Sequence, residues 1–319
     1  MRPALPVVAE VVRSGFVEGH HRGSVVALEA DGSVAFSVGD STSPVFPRSS
    51  NKPMQAAAML AHGLRLQDEL LALAAASHSG EPFHLDGVRK ILADAGLTLD
   101  DLRTPADYPY DPETQRDWVR AGHGPEPLAM NCSGKHAAML ATCMENGWPT
   151  ATYRDQAHPL QLALRAGLER LAGEPVTAVG VDGCGAPAFA ISLQGLARAA
   201  RACVLADPGT PERRVADAMR AFPEWVGGSR RDVTALMRGV PGLLAKDGAE
   251  GVQVVALADG RAIALKIDDG GQRARPVVSA AALQAVGVEA PVVTEQLTFD
   301  LLGGGQPVGC IRAVALVCA

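Results

Sequence analysis

Two Asp-Gly pairs, one near each end of the chain, constrain the architecture more than any other feature. Asp31-Gly32 separates "SVVALEA" from "SVAFSVG", and Asp259-Gly260 separates "GVQVVALA" from "RAIALKI". An Asp-Gly pair between β-branched runs predicts a hairpin, because the tight turn needs positive φ where only such residues sit comfortably. "PVVAEVVRSG" before the first hairpin and "GCIRAVALV" at the far end read as further strands. Between these flanks the periodicity changes. "NKPMQAAAMLAHG", "LQDELLALAAAS", "HLDGVRKILADAG", "GKHAAMLATCMENG", "LQLALRAGLERLAG" and "PERRVADAMRAF" carry apolar residues at i, i+3, i+4, and "AALQAVGV" adds a late helix. Gly63 stands where a helix would end.

Strands at both ends and helices between them predict an α/β (α+β) fold. One antiparallel sheet is assembled from both termini, residues 1–45 and about 250–319, and is packed with a mostly helical middle, about 46–249. This is read as one domain over residues 1–319 with two lobes. The lack of a regular βαβα alternation argues against a doubly wound parallel sheet. Residues 103–130, rich in proline and charge, read as a long surface loop bordering a site.

Composition narrows the partners. Hydrophobic residues make up 47% and charged residues 20%, which is enough apolar material for a large core. The net charge of −6, without a basic run, argues against nucleic acid or an anionic membrane as partner. The N-terminus carries no secretory pattern, and no stretch approaches a membrane span. Six cysteines, at 132, 143, 184, 203, 310 and 318, are scattered through a chain too long to need stapling, so a reduced, cytoplasmic protein is expected.

Five stretches can carry chemistry. In "RSSNKP", Ser49 precedes Lys52 by three residues, which places both on one face of a helix. A serine beside a neutral amine is an activated nucleophile; the competing reading is a capping serine and a solvated lysine. In "AASHSGEPFH" an Ala-rich helix runs into Ser77, His78 and Ser79, either a terminal cap in which Gly80 is left-handed or a second hydroxyl at a site. His78 has no acid partner that the sequence can name. "MNCSGKHAAML" sets Cys132 and Lys135 at the start of a helix, where a thiol pKa is lowered. "VGVDGCGAPAF" holds Asp182 and Cys184 in a glycine-rich turn, read as lying between a strand and a helix. Cys132 and Cys184 suit a soft metal such as zinc, with Lys135, His136, Asp182 or water completing the set, or else a disulfide. Cys143, Cys203, Cys310 and Cys318 read as structural thiols. "GLLAKDGAEGV" holds Lys246, either a solvated turn lysine or a second amine facing the site, ahead of a following strand.

Taken in order, "RSSNKP", "ASHSGE", "NCSGKH", "VDGCGAP", "GLLAKDGAEG" and "ALKIDDG" resemble the bacterial Rhizobium etli-type L-asparaginases, the asparaginase II family, from about Val17 to about Gly270. The resemblance implies a serine β-lactamase-like fold, shared with penicillin-binding proteins and glutaminases. It implies Ser49 as nucleophile with Lys52 as base, Ser77 and Lys246 as a second serine–lysine pair, and Arg48 and Asp182 in substrate binding. It also implies a zinc ion on Cys132, Lys135 and Cys184, an L-asparagine substrate and a homodimer. Two departures stand out: Asp232 occupies a place where relatives can carry a further cysteine near the site, and the chain after Gly270 is short. The competing functions are another Ser-Lys hydrolase (glutaminase, β-lactamase-like or peptidase) and a noncatalytic metal- or ligand-binding module.

Overall fold

The computed structural model describes residues 4–316, and Cys318 lies outside them. Eleven strands are present among the described residues. They are β1 (Val7–Arg13), β2 (Phe16–Leu28), β3 (Val34–Val38), β4 (Pro44–Val45), β5 (Ala178–Val181), β6 (Pro187–Ser192), β7 (Leu244–Gly248), β8 (Val252–Ala256), β9 (Ala262–Ile267), β10 (Thr298–Gly303) and β11 (Gln306–Ala313). The main sheet runs β10-β11-β1-β2-β9-β8-β7, with β3 also paired to β2. Its ladders are antiparallel throughout.

Both Asp-Gly pairs turn hairpins. Asp31-Gly32 links β2 to β3, and Asp259-Gly260 links β8 to β9, with Gly32 at φ +94° and Gly260 at φ +95°. The termini meet in the middle of the sheet: β1 pairs with β11, and β2 with β9, where Val25 faces Leu265. The mixed fold with a terminal antiparallel sheet is as expected from the sequence.

Twelve α-helices cover it among the described residues: α1 (Lys52–Ala61), α2 (Asp68–Ala74), α3 (Pro82–Asp94), α4 (Pro112–Arg120), α5 (Ser133–Asn146), α6 (Pro159–Ala172), α7 (Leu193–Leu205), α8 (Pro211–Ala221), α9 (Pro223–Gly227), α10 (Asp232–Gly239), α11 (Ala274–Ala285) and α12 (Pro291–Glu295). Helix α7 packs on β2, β8 and β9, and α11 on β1, β9 and β11. Strands β8 and β9 are accordingly buried along almost their whole length. That is why they read as near-continuous apolar runs instead of alternating ones. Helix α1 is buried from Lys52 to Leu60 and packs against α5, α6, α7 and α8, a central position consistent with its Ala- and Met-rich surface.

The middle of the chain is mostly helical, as expected; β4, β5 and β6 add a small second sheet beside it, and β7 completes the large one. Two expectations need correction. Residues 103–130 are not a bare loop: Pro112–Arg120 is a helix whose N-cap, Asp111, accepts hydrogen bonds from the Glu113 and Thr114 amides. Its buried face is minimal, so periodicity gave little sign of it. The turn holding Cys184 leads into strand β6, and the helix follows only at Leu193.

A buried histidine pair makes the fold sensitive to acid. His78 and His84 stack with ring centroids 5.1 Å apart. Burial pushes His84 down to about 4, against its hydrogen bond to Glu224. Burial, with the charges of His84 and Lys52, pushes His78 well below its ordinary value. Both are neutral in the folded chain where unfolded histidines, near 6.5, begin to take up protons. Stability is therefore complete above about pH 6.5 and declines as the pH drops towards 4. His84 alone should cost roughly 2 kcal/mol by pH 5. Denaturant midpoints measured from pH 7 to 5, before most carboxylates titrate, should fall steadily; a flat profile would contradict this account.

Candidate active site

Ser49 lies in a 3-10 turn, Arg48–Asn51, that feeds directly into α1. The turn is fixed from below by Ser50, whose amide and hydroxyl both donate to the Pro47 carbonyl, at 3.1 and 2.7 Å. It is fixed from the side by β7, packed close enough that only glycine fits at position 248. A Cβ there would lie 2.5 Å from the Pro47 oxygen and 3.4 Å from the Ser49 nitrogen. Arg48 adopts φ +53°, a left-handed conformation that the surrounding structure must impose on a non-glycine residue.

Lys52 opens α1 and is 1% exposed. Its Nζ donates to Ser77 Oγ at 2.9 Å, to Cys132 Sγ at 3.1 Å, and to the Ala76 carbonyl. Among the described residues its hydrogen bonds do not include Ser49. The Ser-x-x-Lys spacing therefore delivers the amine to Ser77, in the segment that follows α2. Ser77 pairs with Lys52 and not with Lys246, which corrects the expected second pair.

Lys246 sits within β7, not ahead of the strand, and is fully buried. It donates to the Asp247 carbonyl at 2.7 Å and to Asp247 Oδ1 at 2.9 Å. Burial pushes its pKa down to about 8, with the Lys52 charge adding and Asp247 opposing. The reading of Lys246 as a solvated turn lysine is excluded.

The two thiols converge. Cys132 is the N-cap of α5 and Cys184 lies in the β5–β6 turn, both buried and both free. Lys135 Nζ donates to Cys184 Sγ at 3.3 Å. A hydrogen bond from the Cys184 thiol, then the charges of Lys52 and Lys135, hold Cys132 well below the usual thiol range against the cost of burial. Burial would lower the Lys135 pKa, but Cys184, Cys132 and Asp182 outweigh it and raise it. Asp182 accepts from Arg48 Nε at 2.7 Å and from the Gly183 amide at 2.8 Å. Burial raises its pKa, and the charges of Lys135 and Arg48 more than offset this, so it stays a carboxylate.

These groups surround one cleft of about 170 Å³, lined by Arg48, Ser49, Ser77, Cys132, Asp182 and Cys184 among others. Lys52, Lys135 and Lys246 stand behind its wall as buried amines. The volume is below the roughly 300–1,000 Å³ that holds drug-sized ligands. The sequence profile of the L-asparaginase II family matches residues 9–313. The chain belongs to that family. No curated protein matches it. Among solved structures it is similar to a β-lactamase from Mycobacterium bovis, at 14% identity and a TM-score of 0.47, covering 83% of this chain and 95% of that one. It is also similar to the native form of a protein called Mglu, at 14% identity and a TM-score of 0.46, covering 83% of this chain and 63% of that one. Both likenesses are distant.

Membership of an L-asparaginase family makes the chain an amide hydrolase, and the cleft offers hydroxyls, buried amines and carboxylates in one place. His78, Asp232, Cys143, Cys203 and Cys310 do not line the cleft. His78 accepts from the Gly80 amide and bonds Ser133 at 2.8 Å, so it is engaged away from Ser49 and Ser77. Gly80 is left-handed, at φ +79°. Asp232 is held by the buried Arg275 at 2.7 and 2.9 Å. Cys143 and Cys203 are buried thiols with pKa values raised to about 12 by burial, while Cys310 is partly exposed.

Sequence reading missed Tyr110, Asn131, Arg231, Asp247 and Gln272, all of which line the cleft. Some signal was present: Tyr110 lies in the 103–130 stretch read as bordering a site, Asp247 follows Lys246, Asn131 precedes Cys132, and Arg231 precedes Asp232. The closeness of Gly248 to the serine turn generates a direct test. Gly248→Ala should displace Pro47 and Ser49, lower kcat/KM at least about tenfold and destabilise the protein by about 1–3 kcal/mol, read by kinetics and denaturant unfolding. Wild-type kinetics and stability in this variant would show that the turn is not held from β7.

Proposed function

We propose that the protein is an L-asparagine amidohydrolase of the Rhizobium etli type, releasing aspartate and ammonia. The observation that carries this reading is the buried Lys52 amine 2.9 Å from Ser77 Oγ, behind a small cleft that also presents Ser49. Ser49 Oγ attacks the side-chain amide carbon. Its proton passes by way of Ser77 Oγ to Lys52 Nζ, the base of the relay. The same proton is returned to the departing nitrogen, which leaves as ammonia, and an aspartyl ester remains on Ser49. Water then attacks the ester carbon, giving its proton to the same relay, and the ester bond breaks to free aspartate and regenerate the Ser49 hydroxyl.

Cys132, Lys135 and Cys184 fit a zinc site in donor chemistry: two converging thiols, with Lys135 Nζ 3.3 Å from Cys184 Sγ. Among the described residues no three His, Cys, Asp or Glu side chains form such a group, so the lysine is what completes the set. Next to it, buried His136 Nε2 has no hydrogen-bond partner, while Nδ1 lies 2.6 Å from the Tyr153 hydroxyl. Zinc held there would supply a fixed positive charge that positions substrate. The chain's own residues carry the proton transfers.

Ammonia release from L-asparagine, with L-glutamine run beside it, tests the reading. Ser49→Ala should lower kcat at least about 10³-fold while leaving the fold intact. Folded, zinc-replete protein that is silent on both amides would sink it, and unchanged ligand binding by an inactive protein would favour a binding module. Metal analysis should find close to one zinc per chain in the wild type and none in Cys132→Ser or Cys184→Ser. Equal metal content in all three would remove the site.

A further inference from the structure

The cleft contains two arginine–aspartate pairs that differ in what surrounds them. Arg48 donates to Asp182, and its Nη1 also lies 3.9 Å from Glu250, so that with the nearby charge of Lys135 this cluster is balanced. Arg231 donates through Nη2 to Asp247, which Lys246 also contacts, so this cluster carries one formal positive charge in excess. Lys135, the other amine near Asp182, is engaged with Cys184.

Arg231 is incomplete where Arg48 is not. Its side chain is 14% exposed and its guanidinium lies 4.7 Å above the Tyr110 ring. Its Nη1 is shielded from solvent and has no hydrogen-bond acceptor. A dry, charged donor without an acceptor costs more than a solvated one, and it marks a place that an anionic ligand would satisfy. The second edge of a guanidinium is suited to a carboxylate.

We propose that Arg231 is the residue that recognises the α-carboxylate of the substrate. This deepens the amidohydrolase reading and rests on it. Tyr110, stacked on the guanidinium, keeps the donor dry until the carboxylate arrives.

The test compares L-asparagine with 3-aminopropanamide, the same molecule without its α-carboxylate. Wild-type enzyme should prefer asparagine by about 100-fold or more in kcat/KM. Arg231→Ala should lose most of that factor on asparagine and change kcat/KM for 3-aminopropanamide by less than about threefold, with Arg231→Lys intermediate. Equal use of both amides by the wild type overturns the inference and leaves amide hydrolysis standing, and this arm needs no variant to fold. An equal fall on both amides in Arg231→Ala also overturns it, assigning Arg231 to the support of Asp247 instead. Absence of turnover on either amide by folded wild-type protein defeats the amidohydrolase reading, and the inference with it.

Discussion

The buried amine of Lys52 is the interaction on which the rest of the site depends. An amine removed from water must be met by hydrogen-bond partners, and they come from two separate parts of the chain: the Ala76 carbonyl and Ser77 hydroxyl in one, the Cys132 thiol in the other. Satisfying one amine therefore ties the start of α1 to the segment after α2 and to the N-terminus of α5. Because Ser49 is in the turn immediately before Lys52, the same anchoring sets the position of the candidate nucleophile.

Charge organises the cleft a second time at its wall. Burial opposes the Asp247 carboxylate, but Arg231, Lys246 and Arg275 outweigh it and keep it ionised, well below the usual carboxylate range. Asp247 in turn partly offsets the burial of Lys246. The thiols and Lys135 form a comparable group, with Cys132 lowered and Lys135 raised by their proximity. These groups perturb one another in the way that functional sites do, and they do so around a single small cavity.

Several misreadings share one cause. Lys246 reads as a turn residue because Asp-Gly follows it, yet β7 extends through Gly248 to close the edge of the sheet. The Cys184 turn reads as opening a helix because glycine and alanine surround it, yet the next residues pair with β5. In both places the local signal is composition, while the outcome depends on a strand partner distant in sequence or on an edge left open by another element. Helix α4 escaped notice because it buries almost nothing, and its one clear sign, Asp111 before Pro112, is a cap and not a period.

What the sequence determined by itself was local: two Asp-Gly hairpins, the helical runs between them, and the order of short motifs that hold Ser49, Lys52, Ser77, Cys132, Lys135, Asp182, Cys184 and Lys246. Backbone preference and period act over a few residues, so they survive without knowledge of the fold. The tertiary structure alone decided who meets whom. It gave Lys52 to Ser77 and Cys132, gave Lys246 to Asp247, and brought Arg231 and Tyr110 into the cleft. Those contacts join residues up to 121 positions apart (231 − 110), and they form because buried charges must find partners wherever the packed chain supplies them.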